Sequence, residues 1–236
     1  MPKRIGKGRK TEDPRWRTRV DPIVARLNGV DSCAISDAID KLALSGTVSG
    51  LHRLSTDRRV CGRVLTVKLD RDDGRPAASR HLGTAAIEAA QPGDVIVVEQ
   101  RTGIDAAGWG GVLSLGASLK GVAGVIVEGP TRDVDDARKY DFAVFARHRT
   151  ARTARGRIVE VGTNVMITVG DIQVSPGDYV VADASAVVFV AAREIDRVLD
   201  AAEAIAARER AMSDSLRAGT PITRVMDKSY EAMLKK

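Results

Sequence analysis

Apolar and polar positions alternate along VCGRVLTVKLD, residues 60–70, and a period of two predicts a strand. Unbroken apolar runs follow in QPGDVIVVEQ (91–100) and GVAGVIVEG (121–129), each behind a glycine turn, as expected of buried strands. Around them, the Ala-rich HLGTAAIEAAQ (81–91) predicts a short helix, and GWGGVLSLGASLKG (108–121) predicts a glycine turn that opens a helix near Val112. DARKYDFAVFAR (136–147) supplies a turn or short helix and a strand, and GRIVEVGTNVMITVGDIQV (156–174) is β-rich. The turn Pro-Gly-Asp precedes an apolar strand twice, at 92–94 and at 176–178, which is a repeated local solution and not a solenoid. RDDGRPAAS (71–79) is a loop by composition.

Helical spacing occupies both ends. DPIVARLNGV offers Asp21 as N-cap and Pro22 at the first helical position. Ser36 is the expected cap of a second helix, SDAIDKLALSG, stopped by Gly46. EIDRVLDAAEAIAARERAMSDSLRA (194–218) predicts a long helix of mixed charge that faces solvent or another subunit, and ITRVMDKSYEAMLKK adds a last short helix. The sum is an α/β fold with a mixed sheet, β-rich in its later part and helical at its end.

Composition narrows this picture. The 236 residues are 44% hydrophobic and 29% charged, enough to bury a core as one large domain or two small ones. No apolar run reaches the roughly 18–20 residues of a membrane span. MPKRIGKGRK carries positive charge without an apolar stretch, so a secretory signal is not expected. Cys33 and Cys61 lack metal-binding spacing, which points to reduced thiols and a cytoplasmic location, with Cys33 expected as a small core residue. The net charge of +6 lies entirely in residues 1–19, with eight basic and two acidic residues. That segment is expected to be a mobile tail, and contact with nucleic acid or an acidic partner is expected only through it. At 3% aromatic content, stacking platforms for single strands are scarce.

Two features carry candidate chemistry. Gly108, Gly110 and Gly111 flank Trp109 at a helix start, where free N–H groups attract anions; tight packing of a helix on a sheet explains the same glycines. No GxGxxG or GxxxxGK[ST] is present, so dinucleotide and P-loop readings are weak. GPTRDVDD (129–136) then places Arg132, Asp133, Asp135 and Asp136 behind a buried strand. A guanidinium fork can grip a carboxylate, and carboxylates suit Mg²⁺ or Mn²⁺; a solvated loop with local ion pairs is the competing explanation. His52, His81 and His148 show no metal spacing and are expected on surfaces or loops.

Gly111 and Arg132 stand in a G-X20-R spacing that continues as R-D-X2-D through Asp133 and Asp136. GWGGVLSLGASLKGVAGVIVEGPTRDVDD resembles the motif of the RraA-like family, which includes 4-hydroxy-4-methyl-2-oxoglutarate aldolases that also decarboxylate oxaloacetate. SDA (36–38), PGDVIVVE (92–99), PGDYVVAD (176–183) and YEAML (230–234) extend the resemblance from about Ser32 to Lys235. It implies a single α/β domain of the swivelling β/β/α type over residues 20–236, with a mixed sheet and a C-terminal helical segment. It also implies that Gly110, Gly111, Val112 and Leu113 cradle a substrate carboxylate, that Arg132 binds substrate and offsets enolate charge, and that Asp133 ligates a divalent metal, Mg²⁺ or Mn²⁺. Many members carry Asp where this chain has Gly111; a variant pattern pairs that glycine with an extra acid after R-D, and Asp136 fits it. A small 2-oxo acid substrate and a homotrimer, or a hexamer of trimers, are further implications. GPTRDVDD holds no His or Lys to serve as a base, so a metal-bound water is the expected proton carrier. The alternative is a regulator without catalysis, since some members bind and inhibit an RNA-degrading endonuclease.

Overall fold

The computed structural model describes residues 21–74 and 80–226. The basic tail, part of the 71–79 loop and the YEAML stretch lie outside the described residues. The chain opens with helices α1 (Pro22–Leu27) and α2 (Ser32–Lys41) and short strands β1 (Thr47–Val48) and β2 (His52–Arg53). It continues through β3 (Val60–Arg71), α3 (Thr84–Ala89), β4 (Val95–Glu99), α4 (Gly111–Leu119), β5 (Gly124–Thr131), α5 (Val134–Lys139) and β6 (Ala143–Arg149). Strands β7 (Ile158–Thr163), β8 (Ile167–Val169), β9 (Ile172–Val174), β10 (Tyr179–Ala182) and β11 (Val187–Val190) follow, then helices α6 (Ile195–Arg217) and α7 (Ile222–Val225).

One mixed sheet runs β1-β11-β10-β3-β4-β5-β6-β2, with β7 also paired to β3, while β8 and β9 form a separate hairpin. Strands β3 to β6 are mutually parallel, and the flanking strands join antiparallel. β3 belongs to both halves. It pairs with β10 through Val60–Arg63 and with β4 through Val64–Lys68, and its alternation sorts three apolar clusters. Val60 and Val64 share a core with Val97, Ile126, Phe145, Val180 and the hairpin residues Ile167 and Val174. Leu65, Val67 and Leu69 face the layer of α3, α4 and α5, where Trp109 and Phe142 stack with ring centres 6.5 Å apart. Cys61 faces the layer of α1, α2 and α6. The sheet thus has apolar neighbours on both faces, which explains why its parallel strands read as continuous apolar runs.

Both Pro-Gly-Asp turns have the same construction. Gly93 and Gly177 have φ of 91° and 87°, and in each turn the aspartate carboxylate accepts a backbone N–H three residues back, Gln91 at 2.7 Å and Ser175 at 2.8 Å. Proline followed by a glycine with positive φ is the type II arrangement.

Three expectations are corrected. The second helix starts at Ser32 under the cap of Asp31, whose carboxylate accepts the Ala34 N–H at 2.9 Å; Ser36 lies inside the helix and its hydroxyl meets that of Thr47. The helix ends at Lys41, before Ala43 at φ 54°, and not at Gly46. Cys33 is exposed, and Cys61 is the buried thiol, pushed up in pKa by its burial. The long helix is also not wholly solvated: Ile195, Val198, Leu199, Ala202 and Ile205 pack it on its own chain. Among the described residues no helix is long and apolar enough to cross a membrane.

Asp183 ties the start of α2 to the β10–β11 turn. It accepts the Ser32 N–H at 2.9 Å, the Ser32 hydroxyl at 2.7 Å and the Ser185 N–H at 2.9 Å. Burial pushes its pKa up, but these hydrogen bonds outweigh that and hold it below the usual carboxylate range. A lowered folded pKa stabilises the protein above the unfolded value near 3.9, and the contribution fades as pH falls through the folded pKa. Asp183→Ala should therefore cost about 1–2 kcal/mol at pH 7. Urea unfolding should show that gap at pH 7 and a smaller one near pH 3; an equal gap at both would exclude the charged form as its source.

Candidate active site at the strand ends

The connection β4–α4–β5 returns the chain so that the start of α4 and the end of β5 meet at one edge of the sheet. Backbone bonds lace them together. The Gly108 N–H donates to the Pro130 carbonyl at 2.9 Å, and the Arg132 N–H donates to the Trp109 carbonyl at 3.0 Å. The Thr131 hydroxyl donates to that same Trp109 carbonyl at 3.2 Å. The G-X20-R spacing is thereby a physical contact.

Asp133 caps the edge. Its backbone is left-handed at φ 56°, ψ 39°, so its carboxylate turns back from α5. Oδ2 accepts the Gly111 N–H at 3.0 Å and Arg132 Nε at 3.1 Å. The terminal nitrogens of Arg132 and the N–H groups of Val112 and Leu113 take no protein partner among the described residues, which leaves unpaired donors around the cavity at the first turn of α4. Trp109 is 1% exposed, and its Nε1 donates to the Ser114 hydroxyl at 3.0 Å, so the ring fixes the turn from inside the chain and is not available at its surface.

Gly111 is where the two acids meet. A Cβ there would lie 3.0 Å from Asp133 Cβ and 3.0 Å from Asp136 Oδ2. The bare Cα leaves a cradle edged by both carboxylates, and Asp136 fills room that an acidic side chain at 111 would need. Asp136 Oδ1 also holds Lys139 Nζ at 2.8 Å, and that hydrogen bond raises the pKa of Lys139. Asp135 pairs with Arg138 at 2.6 Å and stands 85% exposed, outside the cradle. Hard oxygens in this number fit Mg²⁺ or Mn²⁺, which commonly keep several waters and use one or two protein carboxylates. No set of three or more His, Cys, Asp or Glu gathers around a cation position among the described residues, so the fit is to a hydrated or substrate-shared ion.

A cavity of about 280 Å³ opens over Trp109 to Leu113, Arg132 and Asp133. Its other lining is His81, Leu82, Thr153, Ala154 and Arg155, together with Ala107. Sequence reasoning missed this part. The imidazole of His81 lies at the motif in space although it is 51 positions from Arg132 in the chain. His52 and His148 are exposed strand residues, as expected.

A mixed-sheet α/β protein with its polar groups gathered at the carboxyl ends of parallel strands is of the class that holds small ligands there. The model of the RraA-like family, described as Aldolase/RraA, matches residues 32–189, and the chain belongs to that family. A protein of Halalkalibacterium halodurans, provisionally named a 4-hydroxy-4-methyl-2-oxoglutarate aldolase, is 30% identical over 200 residues, covering 83% of this chain and 90% of that protein. Protein DlpA of Legionella pneumophila is 23% identical over 89% of this chain, which spans only 34% of DlpA. Among solved structures, an uncharacterized protein from Pseudomonas syringae superposes with a TM-score of 0.78 at 23% identity, over 87% of this chain and 97% of that one. Streptomyces coelicolor RraAS2, described as an unusual member of the RNase ES inhibitor RraA protein family, gives 0.70 at 24% identity, over 83% and 98%. These two likenesses establish the fold.

The crowding at Gly111 is testable. Gly111→Ala should cost about 1–3 kcal/mol in chemical unfolding, because the methyl must displace Asp133 or Asp136. Gly111→Asp should cost more, and Asp136→Gly in that background should recover part of it. Additive losses in the double variant would show that the two positions do not share space.

Proposed function

We propose that the protein is a divalent-cation-dependent carbon–carbon lyase that cleaves 2-oxo acids through a pyruvate enolate, as an aldolase of the 4-hydroxy-4-methyl-2-oxoglutarate type with oxaloacetate decarboxylase activity. The observation that carries this reading is the convergence at Gly111 of free helix N–H groups, the Arg132 fork and two carboxylates. The provisional aldolase name of the H. halodurans relative supports it.

When bound at Asp133 and Asp136, a divalent cation would supply Lewis-acid polarisation of the substrate's keto group. The chain's own groups do the rest. The N–H groups of Val112 and Leu113, at the positive end of α4, donate to the substrate's C1 carboxylate. Arg132 aims its terminal nitrogens at the keto oxygen, where negative charge develops as the C3–C4 bond breaks. Asp133 holds Arg132 through Nε, so the fork is set before substrate arrives. Leu82 and Leu113 give the cavity apolar lining, backed from inside by the buried Trp109, and limit water around that charge.

A second reading has one observation in its favour: RraAS2, which shares the fold, is described within a family of RNase ES inhibitors. A regulator of that kind has no use for an oriented arginine beside paired carboxylates, so the lyase reading is preferred.

Arg132→Ala should lower kcat for pyruvate release from oxaloacetate by about 100-fold or more with the fold intact by circular dichroism. Asp133→Ala should abolish the response to added Mg²⁺, and EDTA should silence the wild-type protein in the same assay. Wild-type rates in Arg132→Ala, or activity indifferent to EDTA, would exclude this mechanism.

A further inference from the structure

We propose that His81 is the proton carrier of this site, taking the proton from the C4 hydroxyl of the substrate and returning it to C3 of the enolate. The inference rests on the lyase reading and supplies the base that the R-D motif lacks. His81 lines the same cavity as Arg132 and the start of α4. Its Nδ1 lies 3.0 Å from the Leu82 carbonyl oxygen. A carbonyl only accepts, so in the neutral ring Nδ1 carries the proton and Nε2 keeps its lone pair. The backbone beneath the ring is fixed. The His81 carbonyl accepts the Thr84 N–H at 3.3 Å and the Thr84 hydroxyl at 2.6 Å, and the Gly83 N–H between them in the chain donates to Glu160 Oε2 at 2.6 Å.

Elimination points the same way. Of the residues lining the cavity, only His81 and Asp133 can accept a proton, since the arginines stay charged. Asp133 spends Oδ2 on Gly111 and Arg132 and is assigned to the cation. The other nearby charges are engaged or positive: Glu160 holds Gly83, Arg80 pairs with Glu88 at 3.5 Å, and Arg155 lines the cavity as a cation.

The step balances. Nε2 takes the hydroxyl proton, the O–H electron pair forms the C4 carbonyl, and the C3–C4 pair becomes the C2–C3 double bond of the enolate. The imidazolium then gives the same proton to C3. One molecule of 4-hydroxy-4-methyl-2-oxoglutarate yields two of pyruvate. Decarboxylation of oxaloacetate has no hydroxyl proton to remove, so its bond-breaking step does not call on His81, and the proton that its enolate takes at C3 comes from solvent.

That difference is the test. Full-length wild-type protein and His81→Gln are assayed with Mg²⁺ on both substrates, and oxalate binding is followed by tryptophan fluorescence. The ratio of aldol kcat to decarboxylation kcat should fall about 100-fold in His81→Gln, with oxalate affinity within about two-fold of wild type. An unchanged ratio, or loss of oxalate binding in step with both activities, overturns the assignment. A wild-type protein that turns over neither substrate overturns the lyase reading itself, and this proposal with it.

Discussion

The carboxylate of Asp133 reaches backward to the Gly111 N–H and sideways to Arg132 Nε, and the candidate site is organised around those two bonds. The reach requires left-handed backbone at φ 56°, a conformation that costs an L-residue about 1–2 kcal/mol and that aspartate tolerates better than most. The part-buried bond from the Gly111 N–H, with a smaller share from the solvent-screened Arg132 pair, offsets that cost. The consequence is positional. One side chain fixes the first residue of α4 and holds the arginine fork beside it. An asparagine here would keep much of the shape and lose the charge that holds Arg132.

Behind this edge the sheet carries a row of charges. Lys68, Glu99 and Glu128 are register neighbours on β3, β4 and β5, and Arg147 of β6 closes the row. Glu99 and Glu128 are each only 9% exposed. Glu99 accepts the Thr168 N–H at 2.6 Å with Lys68 at 3.9 Å, and Glu128 is gripped by Arg147 at 2.8 Å. Desolvation consumes most of what such pairs gain, so their value lies in register more than in stability. A one-residue slip of β5 would strand Glu128 among apolar neighbours and carry Arg132 away from Trp109. The row thus keeps the strand ends aligned where the site needs them.

Much of this was legible in the sequence because it is local. Apolar runs in β4 and β5, the twin Pro-Gly-Asp turns and Pro22 in α1 each announce an element through neighbouring residues alone. The first part of the site was legible for the same reason: Gly111 and Arg132 belong to one helix–strand unit of fixed length, so spacing stood in for distance. The start of α2 was misplaced because Asp31 and Ser36 are both competent caps, and the choice was made by Asp183, 151 positions from Ser32 in the chain. Cys33 misled because its neighbours are apolar while its own side chain lies on the outer face of an amphipathic helix. His81 was invisible as a site residue because nothing periodic links positions 81, 132 and 155; only the order of strands in the sheet brings them together.

The same limit applies to charge. Outside the first 19 residues the chain is neutral by count, yet residues 147–157, RHRTARTARGR, hold five arginines and no acid. The fold uses several of them internally. Arg147 is bound to Glu128, Arg152 faces Asp105 at 3.4 Å, and Arg157 donates to the carbonyls of Thr153 and Arg155. Arg155 is left at the cavity and Arg149 beside Arg132 and Asp136. A net count averages this wall against acids on the far helices, such as Asp196, Asp200 and Glu203, which surround Arg26 instead. At the mouth, two or three cations within roughly a Debye length act together on an arriving ligand. Which charges meet an arriving ligand is set by which strand ends come together, not by the sum of charges in the chain.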